Sequence, residues 1–211
     1  MIRRERGAEQ RWNKIFHDCG SAKPQYDDWL DKYQALLDAS TTTPIIDLGC
    51  GYGNDTLYLT ERGYPVIACD YAQEALRRLR SFIPEPQTRQ FNLLDGLPFP
   101  DAAARIIIAD LSLHYFAWDD TKGIVTEIAR VLTSGGHLLA GVNSVNDVQY
   151  GAGQGIMFEA NYYDIGGKFK RFFDEDQLLQ LFDGWEVVVM RESEMRRYDK
   201  PKVVWEIAVK K

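Results

Sequence analysis

Ile45-Ile46-Asp47-Leu48-Gly49-Cys50-Gly51-Tyr52-Gly53-Asn54 reads as a buried strand running into a glycine turn and then a helix. Two β-branched residues and a leucine form a short apolar run suited to a central strand, and glycines at alternate positions allow a sharp turn with no Cβ in the way. The segment from Asp55 to about Arg62 carries Leu57, Tyr58 and Leu59 at helical density and stops at Gly63. Strand, glycine loop and helix thus follow in the order of a nucleotide-binding βα unit. Asp47 narrows the ligand: a carboxylate at this turn, with Asp55 in the first helical turn, repels a pyrophosphate and favours a cation. The glycines also depart from the dinucleotide fingerprint, whose third glycine would stand where this chain has Asn54. An ordinary strand-to-helix turn with no ligand is the competing reading of the glycine pattern alone.

Working outward, Pro65-Val66-Ile67-Ala68-Cys69 reads as a second strand ending at Asp70, roughly 20 residues beyond the glycine loop, where nucleotide-binding folds place an acid on the ribose. The Asp70 carboxylate can accept from both hydroxyls of a cis-diol, and Tyr71 offers a flat face to a base. The same aspartate suits an N-cap for a helix from Ala72 to Phe82. Thr88 to Phe91 is the third strand, and Ala104 to Ala109, with its β-branched run, the most buried one. It ends in Asp110-Leu111-Ser112-Leu113-His114, at the strand end where open α/β sheets bind ligands. His114 has the near-neutral pKa of a general base, with packing as its other use, and Asp110 is a rival for that role or a cofactor contact.

Asp47-Leu48-Gly49-Cys50-Gly51-Tyr52-Gly53 resembles motif I of class I S-adenosylmethionine-dependent methyltransferases, written acid-x-G-x-G-x-G. The resemblance runs from about residue 44 to the end of the chain. It implies an α/β fold with a Rossmann-like seven-stranded sheet, five strands parallel and a closing antiparallel hairpin, with helices on both faces. It also implies S-adenosyl-L-methionine as cofactor: Asp47, Gly49 and Gly51 hold the methionine end, Asp70 the ribose, and Tyr71, Asn92 and Leu93 frame adenine. Asn92 stands where the family usually has an aspartate before a Leu-Pro-Phe like Leu97-Pro98-Phe99; its amide oxygen can still accept from the exocyclic amine. Asp110 to His114 corresponds to the segment bordering cofactor and acceptor.

The remaining segments build around this unit. Residues 4–18 and 26–38 suit two helices separated by Pro24, either packing Trp12, Tyr26 and Trp29 on the sheet or, as in the family, forming a lid over the cofactor. Asp119 to Leu132 is an amphipathic helix stopped by Thr133-Ser134-Gly135-Gly136 before a strand from His137 to Val142. Asn143 to Gly167 reads as a long Gly- and Asn-rich loop with Tyr150, Met157, Phe158, Tyr162 and Tyr163, suited to an acceptor pocket or a dimer contact. Lys168, Lys170 and Arg171 suit an anionic substrate group or a solvated basic face. Asp174 caps a short helix, and Trp185–Arg191 and Lys202–Val209 read as two strands joined by a charged turn with Arg196 and Arg197.

At 211 residues the chain suits a single α/β domain: an N-terminal helical lid over 1–43 and a cofactor-binding domain over 44–211 with an insertion at 143–170. A net charge of −6 opposes non-specific binding to nucleic acid or anionic membrane. Cys19, Cys50 and Cys69 lack metal-ligand spacing, and no run approaches a membrane span or signal peptide. Together with the resemblance, which implies methyl transfer to a small-molecule acceptor by in-line displacement, these features point to a cytoplasmic enzyme, monomer or homodimer, with no metal site. A nicotinamide-dependent oxidoreductase and a non-catalytic cofactor-binding subunit are the alternatives.

Overall fold

The computed structural model describes residues 8–19 and 23–211. Strand β1 (Ile45–Leu48) is fully buried and lies inside the sheet, next to its central strand. It pairs in parallel with β2 (Val66–Asp70) on one side and β4 (Ala104–Asp110) on the other, and β3 (Gln87–Gln90) and β5 (Leu132–Asn143) extend the parallel array outward. Strand β10 (Lys202–Lys210) lies antiparallel between β5 and β9 (Glu186–Met195), giving the order β3-β2-β1-β4-β5-β10-β9. This is the expected seven-stranded sheet with its closing hairpin. The chain order reverses between β1 and β4, so a crevice opens at their carboxyl ends.

Helices α3 (Asn54–Glu61), α4 (Gln73–Phe82) and α5 (Trp118–Val131) follow β1, β2 and β4 and cover the sheet. The apolar core divides accordingly: Leu48, Ile107, Leu138 and Ile207 pack with α5 residues Ile124 and Ile128, whereas Ile45, Ile106 and Leu139 pack with Tyr58 and Leu59 of α3. Leu30, Tyr33 and Leu37 join the second cluster.

The segment expected as a helix over 26–38 is helical only in a 3-10 turn at Asp31–Tyr33 and the short α2 (Gln34–Asp38). Its first residues are held otherwise: the Trp29 indole donates to Asp55 at 2.9 Å, and the Tyr26 hydroxyl donates to Glu61. The first helix, α1, spans Ala8–Asp18; residues 4–7 of the expected span lie outside the described residues. Thr133 to Gly136, expected as a helix stop, instead run on inside β5, which starts directly after α5.

The region expected as a loop is a three-stranded antiparallel meander, β6 (Ile156–Glu159), β7 (Tyr162–Ile165) and β8 (Lys168–Arg171). Its turn glycines Gly166 and Gly167 take positive φ values, a geometry glycine adopts without strain. Helix α6 (Glu175–Leu181) then opens with a capping box in which Asp174 and Gln177 satisfy each other's backbone N–H groups. Among the described residues no helix is long and apolar enough to cross a membrane.

Candidate functional site

The crevice at the carboxyl ends of β1, β2 and β4 is the floor of a cavity of about 1800 Å³. Asp47, Gly49, Gly51, Asp70, Tyr71, Asn92, Leu93 and Asp110 all line it. The structure therefore brings together the eight positions expected to meet a cofactor.

Gly49 closes the strand-to-helix bend against the end of β4. Its φ is +71°, and a Cβ there would lie 2.5 Å from the Ser112 Cβ, so no larger residue fits without backbone movement. Gly51, at φ +56°, lies under α1: a Cβ would approach the Phe16 ring at 3.4 Å. The Gly51 N–H donates to Asp70 Oδ2 at 2.9 Å, and the Ala72 N–H donates to Oδ1 at 2.8 Å. Asp70 thus ties the glycine loop to the start of α4, while each carboxylate oxygen keeps a further lone pair. The helix N-cap is Ala72 and not Asp70 as expected, so Asp70 acts from two residues upstream of the cap.

Five carboxylates converge here. Asp47 is 2% exposed and accepts from the Thr56 hydroxyl at 2.6 Å; Asp55 is held by Trp29; Asp27, Asp70 and Asp110 complete the group. Burial raises the pKa of Asp70 to about 6. Burial also raises Asp47 and Asp55 above the ordinary carboxyl range, with the charge of Asp110 adding to both. Low local dielectric and mutual repulsion make this a region that gains from an added cation.

One cation of the chain already answers them. Arg197, from the turn between β9 and β10, pairs with Asp110 Oδ2, and its Nε lies 3.1 Å from Asp27. That role went unassigned in the sequence, where Arg197 reads only as part of a charged turn; its partners sit 87 and 170 positions away, beyond any local pattern. Asp110 Oδ1 and the Ser112 hydroxyl are buried without a hydrogen-bond partner among the described residues. Both belong to residues lining the cavity.

Asn92 caps the 3-10 turn Leu93–Asp95 by accepting the Leu94 N–H at 3.1 Å. The oxygen expected to serve an adenine amine is therefore partly engaged by the backbone.

His114 is placed differently from the expectation. It is 2% exposed, packs its ring 4.3 Å from that of Tyr115, and is absent among the residues lining the cavity. Burial, with the charges of Lys202 and Lys170, holds its pKa well below the usual imidazole value. The neighbours Ser112 and Tyr115 face the cavity instead. His137 pairs with Lys210 at the far end of β5, away from the crevice.

The upper wall comes from α1 and the meander. Trp12 of α1 meets Tyr115 edge-on at 5.0 Å, and Arg78 of α4 donates to the Phe16 carbonyl at 2.8 Å, which fixes α1 over the glycine loop. Tyr162, Lys168, Phe169 and Lys170 close the opposite side.

A methyltransferase-domain family model matches residues 46–140, the span from β1 to the middle of β5. A probable S-adenosylmethionine-dependent methyltransferase of Mycobacterium tuberculosis is 33% identical over 124 residues, 58% of this chain and 43% of that protein. An uncharacterized methyltransferase of Synechocystis is 30% identical over 92 residues, 44% of this chain and 43% of its own length. The matched stretch is thus less than half the length of these curated relatives. A methyltransferase structure from Anabaena variabilis superposes with a TM-score of 0.72 at 14% identity, covering 100% of this chain and 96% of that one. One from Methanosarcina mazei gives 0.70 at 19% identity, covering 83% and 96%. Residues 46–140 are thus similar to a methyltransferase domain, and the fold around them is that of S-adenosylmethionine-dependent methyltransferase structures.

The residues present fit that cofactor. The cradle at Gly49 has no room for a side chain, and the unpartnered oxygens of Asp110 and Ser112 are hydrogen-bond acceptors within the acidic cluster. A cationic amino-acid end is complementary to both, and a pyrophosphate to neither.

Proposed function

We propose that the protein is an S-adenosylmethionine-dependent methyltransferase that passes a methyl group to a small-molecule acceptor by direct in-line displacement. The convergence of Asp47, Asp55, Asp70 and Asp110 on a glycine cradle at the β1/β4 crevice carries this reading. S-adenosylmethionine, when bound, supplies a methyl group already activated by its positive sulfur.

The chain's own residues then align two reactants and keep water out. Asp47, Gly49 and Gly51 position the methionine end, with Asp47 supplying negative charge and the glycines supplying clearance. Asp70 accepts from the ribose hydroxyls with the lone pairs its two backbone donors leave over. Tyr71, Asn92 and Leu93 frame adenine. Asp110 and Ser112, at the end of β4, border the space where the acceptor meets the methyl group. Helix α1 acts as a lid, to which it contributes Trp12 and Phe16. Because the transferred methyl needs no protein acid to activate it, positioning accounts for most of the rate.

Titration calorimetry tests the reading. S-adenosylmethionine and S-adenosylhomocysteine are expected to bind with micromolar or tighter affinity, and NADH is expected neither to bind nor to displace them. Asp70→Asn, which keeps an acceptor oxygen but removes the charge, should weaken binding about tenfold to a hundredfold, the value of a charge-assisted pair. Tight NADH binding, or an unchanged affinity in the variant, would remove the assignment.

A further inference from the structure

The cavity is larger than the roughly 300–1,000 Å³ that one small ligand fills, and its two ends carry opposite charge. Away from the carboxylate cluster, three cations from two separate elements line the same cavity: Arg11 of α1, and Lys168 and Lys170 of β8. Arg11 reaches the β7–β8 turn, its Nη2 lying 4.0 Å from where a Cβ of Gly167 would sit.

None of these three makes an ion pair among the described residues, although carboxylates stand close by. Glu159 is taken by the buried Arg171, Asp119 by Lys122 at 2.8 Å, and Asp147 by Lys202 at 2.8 Å, while Asp120 also lines the cavity and makes no ion pair with the three cations among the described residues. Lys170 donates only a long 3.4 Å hydrogen bond to the Tyr150 carbonyl. Burial, and after it the neighbouring charges of Lys202 and Lys168, pull its pKa below the ordinary lysine value. Between this rim and the carboxylates the wall is aromatic: Trp12, Tyr115, Phe116, Tyr162 and Phe169. Such a wall takes a flat ring, and the rim above it takes an anion.

We propose that the methyl acceptor is a small aromatic carboxylate, its ring held by the aromatic wall and its carboxylate by Arg11, Lys168 and Lys170. This rests on the methyltransferase reading and names the substrate class for the same cavity. The charge division also sorts the two ligands: the acceptor's anion is repelled from the inner carboxylates and the cofactor's cationic end from the rim.

The test is calorimetry on protein saturated with S-adenosylhomocysteine, titrated with hydroxybenzoates and hydroxyphenylacetates and with their methyl esters. At least one acid should bind, with its neutral ester at least tenfold weaker. Lys168→Met combined with Lys170→Met should erase that preference by weakening the acid alone. Arg11→Met, on the exposed face of α1, should weaken the acid several-fold. Retained S-adenosylhomocysteine affinity shows that each variant is folded. Absence of acid binding, equal binding of acid and ester, or an unaltered preference in the lysine variant overturns the acceptor class while the cofactor reading stands. Failure of S-adenosylhomocysteine itself to bind overturns both.

Discussion

At its inner end the cavity is walled by the carboxyl ends of β1, β2 and β4, where neighbouring backbones and side chains leave no slack around Gly49 and Ser112. Its outer end is made by α1, which buries none of its residues, and by the meander, whose strand β6 leaves Ile156, Met157 and Phe158 exposed. The inner end is fixed by sheet register, so its donors and acceptors are in place before a ligand arrives. The outer end rests on a few side-chain contacts and on elements that can be exchanged without disturbing the sheet. A rigid inner end suits a ligand shared across many proteins, and a replaceable outer end suits one that differs between them.

The sharpest way to break that contrast is at two glycines with nearly the same backbone angle. Gly49→Ala forces a Cβ into Ser112 at φ +71°, whereas Gly153→Ala, at φ +72° near the meander, meets nothing within 4 Å. Strain and overpacking together should cost the first roughly 2–4 kcal/mol, and strain alone should cost the second about 1 kcal/mol. Urea unfolding of both variants measures this directly. Equal losses would mean that the inner end is no tighter than the outer.

A smaller effect is expected where the two ends are stitched together. Arg197 comes from the outer hairpin and pairs with Asp110 of the floor, with side chains 13% and 7% exposed. Arg197→Met should destabilise by roughly 2–3 kcal/mol, somewhat below the loss for a fully buried pair, because Asp110 keeps its desolvation without its partner. Adding Asp110→Asn should recover much of that loss. A double variant no more stable than the single one would show that the pair is not coupled.

These two sites also mark how far the sequence could be read. The glycine loop, Asp47, Asp70 and the strand ends are local signals: turn geometry and spacing within some 25 residues locate them, and all of them line the cavity. The Arg197–Asp110 pair and the reach of Arg11 to the meander depend on which elements the fold brings together, and no short-range pattern encodes that. His114 fails for a related reason, because its residue type and its place after β4 were legible but the direction of its side chain was not. The meander was read as loop because its Gly and Asn content signals turns, and three four-residue strands between turns give too little alternation to count.

Proton binding gives a milder test, with opposite signs for the empty and loaded protein. Burial lifts Asp70 to about 6, whereas in the unfolded chain it titrates near 4. Between those values the unfolded chain has lost its proton and the folded one has kept it. This carboxyl therefore subtracts from stability as pH rises from about 4 to about 6, with no further change above. A cationic ligand wants the carboxylate ionised, so S-adenosylmethionine affinity should instead rise over the same window and weaken up to about tenfold per unit below pH 6. Thermal melts of the ligand-free protein and calorimetry with cofactor, at pH 5 and 7, report the two signs. Affinity that strengthens on acidification would contradict a charged role for the inner end.

The smallest change is expected at His114, where the contrast is between adjacent side chains, one buried and one facing the cavity. His114 keeps a buried Nδ1 with no hydrogen-bond partner among the described residues and a depressed pKa, so it stays neutral through the physiological range, and it is not among the described residues lining the cavity. His114→Gln should leave S-adenosylmethionine affinity within about twofold and cost about 1 kcal/mol of stability, an ordinary figure for a substitution. Tyr115→Ala removes the ring that meets Trp12 at 5.0 Å, and with it a contact that holds α1 across the cavity. It should weaken cofactor binding about fivefold or more, given the roughly 0.5–1.5 kcal/mol of an aromatic pair. If His114→Gln is instead the more damaging of the two to cofactor affinity at equal stability, the imidazole reaches the ligand through a rearrangement of the floor. The inner end would then be less rigid than its packing implies.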